Sequence, residues 1–223
     1  MYEIIPSPGT QAKEWSELAK RIELVKPLAK TIHIDVIDGK FADNTTFLDP
    51  DPFKAFTKDL FFEVHLMVED PIKYIKPFAD AGFKRFIGQV EKMPDQVAFV
   101  AEAQMWGEVG LAIDKQTPVS GITVPFADLD TVLVMTIQAG FSGQTFLEEL
   151  LAKVDELAAK TDILPIEVDG GINDETIAVA AEHGARRFVA TSFLFDLQTP
   201  AEQFALLRKE LDKEQELTQT SLQ

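Results

Sequence analysis

The chain has 223 residues, 46% of them apolar, and carries 21 basic against 37 acidic side chains for a formal charge of −16. That apolar share supports a substantial core and excludes disorder over most of the length. The acidity, with no basic patch to offset it, argues against nucleic acid and anionic membranes as partners, and the absence of cysteine excludes disulfides and thiolate metal sites.

The first strand candidate is "YEIIP", followed by Pro6-Ser7 and then by "TQAKEWSELAKRIELVKPL", whose Trp15, Leu18, Ile22 and Val25 fall on one helical face. "TIHIDVI" (31–37) is a near-continuous apolar run into which His33 and Asp35 are set, and "LFFEVHLMV" (60–68) carries His65. Pro77 predicts a kink or early end in the helix after Asp70. "RFIGQV", "EVGLAI" and "TVLVMTI" supply three more strands, the second ending at Asp114. Thr145 and Glu148 form a capping box ahead of Leu150, Leu151, Val154 and Leu157. "ILPIEVD" is the seventh strand; Asn173 opens the next helix, with Gly184 as its C-cap. "RFVATSF" is the eighth, and Thr199, Pro200 and Glu202 start a last helix that packs through Phe204, Leu207 and Leu211.

Eight apolar strands, most followed by a helix, imply a parallel sheet covered on its outer face. The expectation is an α/β fold, a single (β/α)8 TIM barrel over residues 1–211, with 212–223 as a polar tail, a frayed helix end or disorder. A doubly wound sheet would usually stop at five or six strands and would carry G-x-G-x-x-G after the first, which is absent. "MYEIIPSPGT" lacks the basic start and apolar stretch of a secretory signal, and no apolar run approaches the ~20 residues that span a bilayer. A cytoplasmic protein with no membrane partner is expected.

In such a barrel the chemistry collects at the C-terminal strand ends. His33 and Asp35, two apart, share a face of their strand; His65 lies near the end of the next strand and Asp169 ends the seventh. Each alone is as readily a core residue satisfied by hydrogen bonds. Four at one barrel end favour a shared ion. Two imidazoles and two carboxylates suit one divalent metal ion, zinc first, with iron, manganese or cobalt as alternatives; calcium and magnesium prefer all-oxygen shells. Two carboxylates flanking a flat substrate could also remove a proton from one face and return one to the other, epimerising a carbon beside a ketone. A second constellation is glycine-rich: "QAGFSGQ" (138–144), with Gly140, Phe141, Ser142 and Gly143, then "DGG" with Gly170 and Gly171, then Thr191-Ser192. Singly these are turns; on three successive loops they form a phosphate cradle. His183 beside Gly184, Asp38 beside Gly39, Trp15, Trp106 and Lys115 are read as structural.

These residues resemble the ribulose-phosphate 3-epimerase family from about Ile5 to Leu211. The family's H-x-D-x-M-D-G-x-F is similar to His33 through Phe41, its "HLMV" with a following proline to His65–Val68 with Pro71, and its "LVMTV-x-P-G-F-G-G-Q-x-F" to Leu133–Phe146; "EVDGGI" stands unchanged at Glu167–Ile172. The resemblance implies a barrel of the ribulose-phosphate-binding type and an isomerase of the pentose phosphate pathway acting on a phosphorylated ketose. It implies a metal on His33, Asp35, His65 and Asp169, with Asp35 and Asp169 as the catalytic acid/base pair. It implies that Ser7 touches the substrate, that Met67 and Met135 form an apolar lid, that Gly143, Gly170, Gly171 and Ser192 hold phosphate, and that the chain forms homo-oligomers. The chain departs from the pattern at Ile37 (methionine in the family), Gln89 (often histidine), Ala139 and Ser142. Thr191-Ser192, where Gly-Ser is usual, looks more like allulose-6-phosphate 3-epimerases, an alternative function beside a non-catalytic sugar-phosphate binder. Hexulose-phosphate synthase carries D-x-K-x-x-D, and Ile37 stands where its lysine would be.

Overall fold

The apolar runs are rich in valine, isoleucine and phenylalanine, residues that pack well on a pleated surface buried on both sides. The computed structural model describes residues 2–196 and 199–221. Among these, eight strands form: β1 (Glu3–Pro6), β2 (Thr31–Ile37), β3 (Phe61–Met67), β4 (Arg85–Gln89), β5 (Glu108–Ile113), β6 (Thr131–Met135), β7 (Ile166–Asp169) and β8 (Arg187–Ala190). They pair in parallel in the order β1-β8-β7-β6-β5-β4-β3-β2. The two edges, β1 and β2, lie side by side, with Thr31 Oγ1 donating to Glu3 Oε1 at 2.5 Å across the seam. The result is a nearly closed (β/α)8 TIM barrel.

The helices are α1 (Trp15–Val25), α2 (Ile72–Asp80), α3 (Gln96–Gln104), α4 (Leu151–Ala158), α5 (Thr176–Glu182), α6 (Ser192–Phe195) and α7 (Pro200–Ser221). Two crossovers carry short 3-10 turns instead: Asp51–Ala55 after β2, and Val119–Gly121 with Phe126–Asp128 after β5. Prolines stand at each of these turns, Pro50 and Pro52 at the start of the first and Pro118 and Pro125 ahead of the others. Among the described residues no helix is long and apolar enough to cross a membrane.

One local expectation fails and two are narrowed. The Thr145–Glu148 capping box does not form: a 3-10 turn spans Glu148–Leu150 and α4 starts at Leu151 without a side-chain cap. A nonlocal bond, Leu147 N–H to the Thr136 carbonyl at 2.8 Å, holds the approach extended. Pro77 does not end α2, which continues to Asp80. Lys73 and Pro77 are both exposed, so water can serve the carbonyl that loses its partner. Finally, α7 runs on from Leu211 to Ser221, so the polar segment is helical as far as it is described. Asn173 does cap its helix, its Oδ1 accepting from the Glu175 and Thr176 N–H groups at 2.8 and 2.9 Å.

The core has two parts. The larger lies between sheet and helices, where Phe53, Phe62, Phe78 and Phe83 are fully buried and meet edge-on at 4.9–5.9 Å, with Trp15 packed on Phe53 at 5.0 Å. The smaller fills the barrel mouth and includes Ile37, Met67, Ile87, Ala112, Leu133 and Met135.

Candidate active site

Side chains alternate across a strand, so His33, Asp35 and Ile37 all point into the barrel; they stand in register with Glu63, His65 and Met67 of β3. Asp169 enters the same space from β7, opposite Met135 of β6. One ligating atom from each of His33, Asp35, His65 and Asp169 lies within 4.8 Å of all the others. His33 Nε2 is 3.3 Å from Asp35 Oδ1 and 4.0 Å from Asp169 Oδ2; His65 Nδ1 is 3.4 and 3.9 Å from the same oxygens. A tetrahedral ion with bonds of about 2.0–2.1 Å needs donor spacings of roughly 3.4 Å, so the cluster has that size. His65 Nδ1 is buried with no hydrogen-bond partner, an orphaned lone pair of the kind a metal fills. The residues fit a borderline divalent ion.

The environments of the two aspartates differ. Burial would raise Asp35, but His33 and His65 face it and hold its carboxyl well below the usual carboxylate range. Asp169 is pushed up to about 7, first by burial and then by the negative charge of Asp35. The two environments thus push the pair apart, Asp35 toward the ionised form and Asp169 toward the protonated one, the separation that acid/base chemistry on opposite faces uses. Ser7, from the end of β1, donates its hydroxyl to Asp35 Oδ2 at 3.1 Å and accepts the Gly9 N–H at 3.2 Å.

Above the four residues a cleft opens, lined by Asp35 and Asp169 at its floor and by Met67 and Met135. Gly140, Phe141, Ser142 and Gly143 reach it from the β6–α4 loop, Gly170 and Gly171 from the β7–α5 loop, and Thr191 and Ser192 from the start of α6. His33 and His65 lie beneath, fully buried, and contribute through the aspartates rather than to the cleft wall. The "DGG" turn has room for nothing larger than glycine: a Cβ on Gly171 would stand 2.7 Å from the Phe146 backbone nitrogen, and both glycines have positive φ. Thr136, just after β6, locks this turn, its hydroxyl donating to the Gly170 carbonyl at 2.6 Å. Two contacts tie down the facing loop. Asn44 Nδ2 donates to the Gly140 carbonyl at 2.8 Å, and Ser142 N–H donates to Thr10 Oγ1 at 3.0 Å.

Below the aspartates sits a second buried polar group that the sequence reading passed over. His33 Nδ1 is 2.6 Å from Glu63 Oε1 and 3.6 Å from Glu167 Oε1. Arg85 ion-pairs with Glu63 and also with Glu108, the latter at 2.8 Å. Burial raises Glu63, but Arg85 and His33 outweigh it and bring the carboxyl down to about 2. Glu167 is raised by burial and by the charge of Glu63, which outweigh His33 and Arg85. On the other side, His65 Nε2 is 2.6 Å from Gln89 Oε1. The residues read as structural behave so: Asp38 accepts from the backbone N–H groups of Lys40, Phe41 and Glu69, and His183 Nδ1 meets Asp155 Oδ1 at 2.8 Å.

Comparisons with known proteins show the family and the fold. The model of the ribulose-phosphate 3-epimerase family matches residues 6–195. The ribulose-phosphate 3-epimerase of Schizosaccharomyces pombe is 37% identical over 218 residues, 94% of this chain and 95% of that protein. That of Bacillus subtilis is 37% identical over 199 residues, 85% and 91% of the two. Among solved structures, KGPDC from Streptococcus mutans superposes with a TM-score of 0.71 over 96% of this chain and 98% of that one. The 3-hexulose-6-phosphate synthase of Salmonella typhimurium reaches 0.66 over 95% and 99%. At 10% and 14% identity these two show the barrel and no more. From the family match and these relatives, the chain belongs to the ribulose-phosphate 3-epimerase family and is an isomerase acting on carbohydrates.

Proposed function

We propose that the chain interconverts D-ribulose 5-phosphate and D-xylulose 5-phosphate by inverting carbon 3. The observation that carries this reading is the meeting of Asp35 and Asp169, from strands remote in sequence, with two histidines in one cluster. Asp35, held ionised, takes the C3 proton from one face of the substrate. Asp169, whose burial favours its protonated form, delivers a proton to the opposite face, and the reverse reaction exchanges the roles. Ser7 holds the Asp35 carboxylate in place through its hydroxyl. His33, Asp35, His65 and Asp169 would hold one divalent metal ion, zinc first among the candidates, which when bound polarises the neighbouring carbonyl and stabilises the enediolate. Met67 and Met135 keep water from that planar species, since both are buried at the cleft wall. Backbone N–H groups at Gly143, Gly170, Gly171 and Ser192 receive the phosphate.

The test is metal analysis followed by a linked epimerase assay with ribulose 5-phosphate and allulose 6-phosphate side by side. Turnover of the pentulose well above the hexulose supports the reading. The opposite preference, which Thr191-Ser192 would favour, moves the substrate to the hexulose. Sugar phosphate binding without turnover of either would leave a binding barrel and sink the reading.

A further inference from the structure

His33 and His65 present opposite ring nitrogens to the aspartates. His33 turns Nε2 toward Asp35 and Nδ1 toward Glu63 Oε1, whereas His65 turns Nδ1 toward Asp35 and Nε2 toward Gln89 Oε1. Both back-side contacts are 2.6 Å, and all four residues are fully buried. We propose that Glu63 and Gln89 are positioning residues which fix the ring nitrogen each histidine offers to a metal, a proposal that rests on the metal-centre reading above.

A neutral imidazole that gives one nitrogen's lone pair to an ion carries its proton on the other. Inside the barrel that proton needs a protein acceptor. Glu63 is clamped for this role, because Arg85 takes Oε2 from the far side and is itself held by Glu108, leaving Oε1 for His33. Gln89 supports the argument from another side. An amide can be turned either way, and this orientation leaves its Nε2 buried without a partner. That orphaned donor is unfavourable. Gln89 also stands in register with Ala112 and two residues from Ile87, both members of the apolar cluster at the mouth. A side chain kept there for packing alone would be apolar. The hydrogen bond to His65 accounts for an amide at this place. The two acceptors are unequal, an ion-paired carboxylate behind His33 and a neutral amide behind His65.

The experiment uses the full chain loaded with zinc. With three histidines in the sequence, and His183 on the surface against Asp155, long-range proton–nitrogen correlation spectra can assign each ring. The expected result is His33 bound through Nε2 and His65 through Nδ1. Zinc affinity is then measured by chelator competition, alongside the melting temperature of the metal-free protein. Gln89→Leu should weaken zinc by about 10–100-fold, and Gln89→Glu, which keeps an acceptor oxygen, should restore it. Glu63→Gln should lose less than Gln89→Leu, because an acceptor remains. Opposite nitrogens in the unmodified protein, or unchanged zinc affinity in Gln89→Leu, overturn the proposal alone. A Gln89→Glu variant as weak as Gln89→Leu overturns it as well. Unmodified protein that takes up no divalent ion overturns the metal-centre reading, and this proposal with it. If Gln89→Leu does not fold, the spectrum of the unmodified protein still decides.

Discussion

The two faces of the barrel sheet are built from opposite materials. Its outer face meets the helices through phenylalanine, valine and leucine, as with Phe53, Phe62 and Phe83, where no charge is needed. Its inner face buries His33, Glu63, His65, Arg85, Glu167 and Asp169 in a few layers of strand. Buried ionisable groups are unfavourable unless paired or bound to a metal. Apolar packing thus dominates the outer face, while the inner face combines an apolar mouth with buried ionisable groups. Substitutions on the two faces should be separable by what they change.

The largest separation is expected from Asp169→Asn, which should lower kcat by at least about 10²–10⁴-fold while leaving the fold intact. Near-native turnover in this variant would break the two-carboxylate mechanism. On the outer face, Phe53→Ala should destabilise the fold by about 3–5 kcal/mol, read by denaturant unfolding. Zinc affinity should not change; if it does, the faces are not independent.

A pH series sharpens the contrast further. The folded value of Asp169, about 7, lies above its ordinary 3.8. Between those values the metal-free folded chain keeps a proton that the unfolded chain has lost, so stability falls as pH rises. His33, raised because Asp35, Glu167 and Glu63 outweigh its burial, acts in the same sense. Its contribution is complete below the ordinary 6.5 and is lost as pH climbs through its folded value. Asp35, depressed, loses its contribution only below 3.8. The metal-free melting temperature should therefore drop from about pH 5 to pH 8, and metal affinity should rise over the same range as protons are displaced. The smallest effect is expected from Ser142→Gly. It removes the contact between the Ser142 and Thr10 hydroxyls at 3.2 Å while keeping the backbone bond, and KM for the sugar phosphate should rise about 2–10-fold, with metal affinity unchanged.

Much of this was readable in the chain itself. The eight strands follow from apolar runs long enough to be buried on both sides, and His33 with Asp35 from a spacing of two. That same spacing links Glu63 to His65 and Glu167 to Asp169, so the lower polar group was within reach of the rule and was missed because it was applied to one strand only. Gln89 showed as an unusual residue but not as a contact, since nothing local indicates that its amide meets His65. The Thr145 cap failed for a reason no local pattern holds: the Leu147–Thr136 bond joins a loop to the end of a strand. The crossovers after β2 and β5 carry short turns in the proline-marked stretches "LDPDP" and "KQTPVSGITVP", but prolines also open α2 and α7, so the residue alone does not tell turn from helix.

Between β1 and β2 the barrel has a seam. Seven neighbouring pairs share backbone ladders, but among the described residues this junction is bridged by side chains, Thr31 to Glu3 near one end and Ser7 to Asp35 near the other. Such a junction opens at lower free energy than a laddered one, so its amides should exchange with solvent earlier than those of β4 or β5. The upper bridge is also the hydroxyl that steadies the ionised aspartate. On the proposed mechanism, opening of this seam would also free the Asp35 carboxylate from Ser7, and hydrogen exchange along β1 and β2 should track how often that bond is made.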